Sequence, residues 1–212
     1  MAKILVVGAS KGTGALAVKA ALAKGHCVTS FARSPEKLAL EDAKLTRVKG
    51  DFFDAESVAA AIAGHDAVIV TASVSKLSDF KANPTYFSQG TQHVIDGMKR
   101  HGVKRLVILS ALGTGESRAL LPWLMRTLVV DGILKRAFVD HARQEQLVRE
   151  SGLEFVIARP GRLTDGPAKL QYVKTPKLEQ VPSAISRADV ADFLVESCTS
   201  PALVNQAVQL GG

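Results

Sequence analysis

Apolar runs of strand length alternate with helix-forming stretches along the chain of 212 residues. Lys3-Ile4-Leu5-Val6-Val7 predicts a strand, and Ala15 to Ala23, rich in strong helix formers, predicts a helix. Lys24-Gly25 stops that helix, and Cys27 to Phe31 predicts the second strand. Leu45 to Lys49 predicts a short third strand, and Asp54 caps a helix running to Ala63. Gly64-His65-Asp66 then returns the chain to Ala67-Val68-Ile69-Val70, whose unbroken apolar character suits a parallel sheet buried on both faces. The polar stretch from Ser75 to Pro84 reads as a loop and Tyr86 to Arg100 as a helix. Arg105 to Ser110 predicts the fifth strand, Phe138 to Ser151 a helix stopped by Gly152, and Glu154 to Ala158 the sixth strand. Thr164 to Pro182 is loop-like, Ser186-Arg187-Ala188-Asp189 opens a last helix with a capping-box-like start, and Val208 to Leu210 is expected as an edge strand. Strand followed by helix, repeated, predicts a single doubly wound α/β domain. Its parallel sheet has six or seven strands, with helices on both faces.

One stretch escapes this pattern. Gly113 to Val139 contains Leu120-Leu121-Pro122-Trp123-Leu124-Met125 and Leu128-Val129-Val130, apolar with no clear period. It reads as core, as a flap over a substrate or as a subunit contact.

Composition narrows the class without naming a function. Apolar residues make up 47% and charged residues 22%, ordinary for a soluble globular domain. No run of apolar residues is long enough to span a bilayer, and Met1-Ala2-Lys3 passes at once into a strand, leaving no room for a signal peptide. The expected compartment is the cytoplasm. Cys27 and Cys198 read as two free buried thiols. The net charge of +7 invites a nucleic-acid partner, but the basic residues are scattered and no aromatic-basic interleaving accompanies them. A small-molecule substrate is therefore expected, with no nucleic acid and no membrane, for a monomer or weak homodimer.

Candidate chemistry begins at Gly8-Ala9-Ser10-Lys11-Gly12-Thr13-Gly14, between the first strand and the first helix. That context gives a glycine-rich turn its weight as a dinucleotide site. Gly8 lets the chain turn off the strand, Gly12 lets a diphosphate approach the backbone, and Gly14 lets the helix pack against the sheet. The helix N-terminus adds unpaired N–H groups and a partial positive charge. Arg33, just beyond the second strand, takes the position where an acid would select a ribose hydroxyl and an arginine its 2′-phosphate. No Asp or Glu lies between His26 and Pro35, so Arg33 argues for NADP(H) over NAD(H), with Lys11 as a second cation. Thr71-Ala72-Ser73, at the C-terminal end of the fourth strand, is small enough to leave room for ribose and nicotinamide. Ser110, closing the fifth strand, is the one hydroxyl expected near the chemistry.

The G-x-x-x-G-x-G spacing resembles the short-chain dehydrogenase/reductase superfamily, whose members carry this turn on one Rossmann-type domain. Phe31-Ala32-Arg33-Ser34-Pro35-Glu36-Lys37-Leu38, Gly50-Asp51-Phe52-Phe53-Asp54, His101-Gly102-Val103-Lys104-Arg105 and Arg159-Pro160-Gly161-Arg162-Leu163-Thr164-Asp165 resemble its atypical group. With Arg149-Glu150-Ser151-Gly152-Leu153 and the overall length, the chain is most similar to the biliverdin reductase B family of NADPH-dependent flavin reductases and its bacterial relatives. The resemblance implies that Asp51 meets the adenine amino group. It further implies that the backbone around Pro160 and Gly161 meets the nicotinamide amide, and that Arg162 reaches the substrate pocket.

The Tyr-x-x-x-Lys pair of most short-chain dehydrogenases is missing: four residues beyond Tyr86 and Tyr172 stand Gly90 and Pro176. The histidines show no metal-ligand spacing, so no metal is expected, and His141 reads as structural. Without the tyrosine, a substrate that needs little help with protons is favoured. A flavin, as substrate and not as a resident cofactor, fits that requirement. The other reading is an NADPH-binding sensor or assembly protein with no turnover.

Overall fold

The computed structural model describes residues 1–72 and 83–212. Its elements are β1 (Lys3–Val7), α1 (Gly12–Ala23), β2 (Cys27–Ala32), β3 (Leu45–Lys49), α2 (Ala55–Ile62), β4 (Ala67–Val70), α3 (Tyr86–His101), β5 (Arg105–Leu109) and α4 (Lys135–Glu150). They continue with β6 (Glu154–Pro160), β7 (Arg162–Thr164), β8 (Val173–Thr175), β9 (Ala184–Ser186), α5 (Arg187–Ser197) and β10 (Gln206–Gly211). The main sheet has eight strands in the order β3-β2-β1-β4-β5-β6-β10-β8. All neighbours in it are parallel except β10 and β8. From β1 the chain winds outward through β2 and β3, then crosses back to β4 and winds the other way. The crevice of the fold therefore opens where β1 and β4 end.

Alternation within each strand divides the core in two. Ile4 and Val6 of β1 face α1 and α5 together with Val18, Ile69 and Phe193. Leu5 and Val7 point to the opposite face, among Ile62, Val68, Met98 and Ile108 under α2, α3 and α4. Helix starts are fixed by side chains at several points. Asp54 accepts from the Glu56 and Ser57 N–H groups, and Ser186 from that of Asp189. The N-terminus of α3 is instead capped from α4, where the buried Asp140 accepts the Phe87 N–H at 2.6 Å.

The sheet departs from expectation at its far edge. Val208 to Leu210 is not an edge strand: β10 lies between β6 and β8, registering Gln209 against Arg159 on one side and Thr175 on the other. The covering strand β8 falls inside the stretch read as loop. Its three residues are too few to show a period of two, so the sequence carries no strand signal there. Leu163 pairs with Ile185 in a separate two-stranded sheet formed by β7 and β9.

Gly113 to Val139 resolves into a short 3₁₀ turn (Gly115–Leu120), a helical turn at Trp123–Met125 and a π-helical winding from Arg126 to Ile133 that runs into α4. Its large apolar side chains are mostly outside the core, with Trp123 and Ile133 each 69% exposed, while Val130 is buried. Among the described residues, no helix is long and apolar enough to cross a membrane.

Candidate functional site

At the switch point the three glycines differ in what they permit. A Cβ on Gly8, where φ is +85°, would stand 2.6 Å from the Ala72 nitrogen. One on Gly14 would stand 2.3 Å from the Gly8 oxygen and 2.6 Å from Thr71 Oγ1. Both positions are closed by the protein itself, which holds the turn tight against the end of β4. Gly12, with φ +58°, has no atom within 4 Å of an added Cβ. Open space thus lies over the first turn of α1, and no side chain caps that turn. A diphosphate placed there meets unpaired N–H groups, so the turn fits the phosphate part of a dinucleotide.

From this turn a cleft of about 440 Å³ runs over β2 and β3, lined by Gly8, Ser10, Lys11 and Ala72 on one side. Arg33, Ser34, Lys37, Asp51, Phe53 and Tyr86 line the other. Arg33 is exposed, and among the described residues no carboxylate or hydrogen-bond acceptor engages its guanidinium. Lys37 and Ser34 join it, brought round by the 3₁₀ turn Pro35–Lys37. Sequence reading passed over Lys37; its signal was Ser34-Pro35, which starts a tight turn and folds the lysine back beside the end of β2. Asp51 keeps the Phe53 N–H at 3.0 Å on Oδ1, leaving its other oxygen for a ligand amino group. Phe53 and Tyr86 meet edge to face with centroids 5.1 Å apart, an apolar wall for a planar base.

The expected nicotinamide end is built differently. Thr71 is buried and its hydroxyl donates to the Val7 carbonyl at 2.9 Å, so its side chain ties β1 to β4. Thr13 is likewise buried in the first turn of α1, outside the lining of the cleft. Ser73 lies outside the described residues. Pro160 and Gly161, expected to offer backbone to the nicotinamide amide, already bond within the fold. The Leu112 N–H donates to the Pro160 carbonyl at 2.9 Å, and the Gly161 N–H donates to the Leu210 carbonyl at 3.0 Å. Gly161 is glycine because a Cβ would stand 2.6 Å from the Ser183 oxygen. Arg162 has an exposed side chain on β7 and does not line the cleft.

Ser110 also lies outside the lining of the cleft. It is 5% exposed, and its hydroxyl donates to Glu145 Oε1 at 2.6 Å. Glu145, from α4, is itself bound by the guanidinium of Arg159, which has no exposed surface. Arg159 donates a second fork to Glu116, at 3.0 Å on each oxygen. Burial works against this guanidinium charge, but the hydrogen bonds to Glu145 and Glu116 outweigh it and hold the pKa above the usual value. The hydrogen bond from Arg159 likewise holds the Glu116 carboxyl below the usual range. Sequence reading missed Glu145 and Glu116. An acid on a polar-faced helix carries no signal until the fold sets an arginine opposite it.

His141 stacks on Phe87 at 3.9 Å and shares a hydrogen bond with Gln144, and burial pushes its pKa down. Burial pushes the Cys198 thiol up to about 12, which leaves it unreactive, whereas Cys27 is only half-buried.

Comparison with known proteins agrees with this geometry. A family profile described as NAD(P)H-binding matches residues 8–201. The chain belongs to the NAD(P)H-binding family. It is similar over its full length to solved structures. ChuY, an anaerobillin reductase from Escherichia coli O157:H7, is 27% identical, with a TM-score of 0.81 over 99% of this chain and 96% of that one. A short-chain dehydrogenase/reductase from Veillonella parvula in complex with NADP superposes with a TM-score of 0.84 over 100% of this chain and 94% of that one; at 16% identity it speaks for the fold alone. A chloroplastic protein of Arabidopsis thaliana is 26% identical over 203 residues, 92% of this chain and 71% of that protein.

Proposed function

We propose that this NAD(P)H-binding protein is an NADPH-dependent reductase that delivers hydride to flavins or similar conjugated acceptors. The observation that carries the reading is the cationic end of the cleft. Arg33, Ser34 and Lys37 line one end of the cleft, while Glu36 of the same turn stands outside the lining, which supports a ribose 2′-phosphate there. NADPH, when bound, supplies the hydride. The protein's own part is positioning: the glycine turn and α1 hold the diphosphate, Asp51 and Phe53 the adenine, and Ala72 leaves room beyond. Likeness to ChuY, an anaerobillin reductase, supports a reductase.

The absence of a Tyr-x-x-x-Lys pair favours acceptors that take their proton from solvent over ketones, whose developing oxyanion calls for an acid. On this reading the partner is a small molecule, and the chain works in the cytoplasm as a monomer or weak homodimer, on neither nucleic acid nor membrane. Ser110 is engaged by Glu145 and the Pro160 carbonyl by the Leu112 N–H, which favours a second reading, a sensor that binds NADPH without turnover. Steady-state NADPH oxidation with FMN and riboflavin separates the two. Turnover above the solution background is expected with both flavins. Tight NADPH binding with no turnover across flavins and quinones would establish the sensor.

A further inference from the structure

Burial of a charged carboxylate is costly unless its partners repay the lost hydration, so each buried acid calls for a reason. Among the described residues Asp140, Glu145 and Asp189 are buried. Two of them serve the backbone. Asp140 caps α3 through the Phe87 and Ser88 N–H groups, and Asp189 accepts from the Lys169 and Leu170 N–H groups at 2.8 Å each. Glu145 accepts from no backbone group. Its partners are the Ser110 hydroxyl at 2.6 Å and Arg159. Nor does Arg159 depend on Glu145 alone, because Glu116 already provides a full bidentate partner at 3.0 Å. Glu145 takes the Nε–H of Arg159 that Glu116 leaves over, and beyond that it fixes the direction of one hydroxyl.

Ser110 follows the end of β5, next to β4, and the last registered pair between those strands is Val70 with Ile108. Two residues beyond that pair stand Ala72, which lines the cleft, and Ser110. We propose that Glu145 is a positioning residue that acts through Ser110. By taking the hydroxyl hydrogen, it leaves Ser110 to meet the reacting ligands as a hydrogen-bond acceptor only. The bonds from Arg159 to both oxygens of Glu145 fix the carboxyl against Ser110, so the hydroxyl hydrogen points away from the ligand. A serine held this way favours ligands that present an N–H, as isoalloxazines and other nitrogen heterocycles do. It cannot protonate a carbonyl oxygen without giving up Glu145. The inference rests on the reductase reading and assigns the site its preference among acceptors.

A double-mutant cycle tests it. Ser110→Ala and Glu145→Gln are each expected to lower kcat with riboflavin about tenfold, the order of one hydrogen bond, with KM for NADPH unchanged. If Glu145 acts through Ser110, the double variant is no slower than either single one. Equilibrium unfolding of the cofactor-free proteins is expected to show the same non-additivity in urea midpoints. A double variant slowed about a hundredfold, the product of the two effects, would overturn the inference, as would an unchanged kcat in Glu145→Gln. Should Glu145→Gln fail to fold, the cycle is repeated with Glu145→Asp, which keeps a carboxylate for Arg159 but is too short to hold the Ser110 hydroxyl, with the same expectation. Wild-type protein that binds NADPH but reduces no acceptor removes the reductase reading and this inference together. An additive cycle in an active enzyme removes only the inference.

Discussion

Arg33 lines the cleft and Ser110 lies buried outside its lining, and their surroundings follow opposite rules. Arg33 and its neighbour Lys37 are exposed, and no partner within the described protein engages the Arg33 guanidinium. Around Ser110 the hydroxyl, the Glu145 carboxylate and the Arg159 guanidinium are buried and bonded to one another. Among the described residues the first region has no counter-charge for Arg33, and on the proposed reading it serves affinity and cofactor choice. The second has its geometry before anything binds, which suits a site that works by holding reactants in place. The contrast also separates the effects of substitution: changes at the open end act on binding, and changes at the closed end act on turnover or on the fold.

The sharpest break in this contrast comes at Gly12. Valine there fills the space over the start of α1 and strains a backbone with φ +58°. NADPH affinity is expected to fall by more than about a hundredfold, roughly 3 kcal/mol, in a protein whose circular dichroism is retained. Wild-type titration by a folded variant would show that the turn holds no diphosphate. Next comes Arg33→Ala, expected to cost NADPH about 2 kcal/mol, roughly 30-fold in Kd, while leaving NADH nearly unchanged. Calorimetric titration of both cofactors reads the difference, and equal wild-type affinities for the two would refute the 2′-phosphate assignment. Arg162→Ala is a smaller probe of the far end. Exposed as it is, it is expected to raise KM for FMN by up to about fivefold and to spare riboflavin, which has no phosphate. Equal changes for the two flavins would remove Arg162 from the substrate site.

The smallest expected effect belongs to the fold under the closed end. His141 has its pKa pushed below 6.5 by burial, against the opposing pull of its hydrogen bond to Gln144 and the charges of Glu145 and Asp140. Above pH 6.5 the ring is neutral in both the folded and the unfolded chain, and it adds no pH dependence. Below that the unfolded chain takes up a proton that the folded one refuses, so stability falls as pH falls, by at most about 1.4 kcal/mol per unit. His26, lowered chiefly by burial, acts in the same sense. Urea unfolding between pH 7 and 5 is expected to show a shallower slope for His141→Gln than for the wild type. Identical slopes would mean that the histidine accepts its proton within the fold.

The open end was legible in the sequence because it depends on neighbours in the chain. Gly8, Gly12 and Gly14 follow β1 directly, and Arg33 follows β2, so strand and turn patterns alone bring them to one edge of the sheet. The closed end was not. Ser110, Glu116, Glu145 and Arg159 come from separate segments, and only the packing of α4 over β5 and β6 joins them. The same limit hid the far edge of the sheet. The pairing of β8 with β10 depends on strand order, to which three residues contribute no periodicity of their own. Asp51 and Gly161 show how residues placed by resemblance can fare differently. Asp51 lines the cleft, while the Gly161 N–H is bonded to the Leu210 carbonyl.

The two rims of the main sheet bear on how the molecule behaves at high concentration. One rim is β3, which carries Arg47 and Lys49, and the other is β8, which is only three residues long and centred on Lys174. Short strands and cationic side chains discourage a second sheet from adding on in register. Copies of the chain are thus kept from joining rim to rim into filaments. Exposed apolar side chains lie at Trp123, Leu128 and Ile133, and also around β8 at Leu170, Val173 and Leu178. Mutating the first three to polar residues is a route to a more soluble preparation with both rims left as they are.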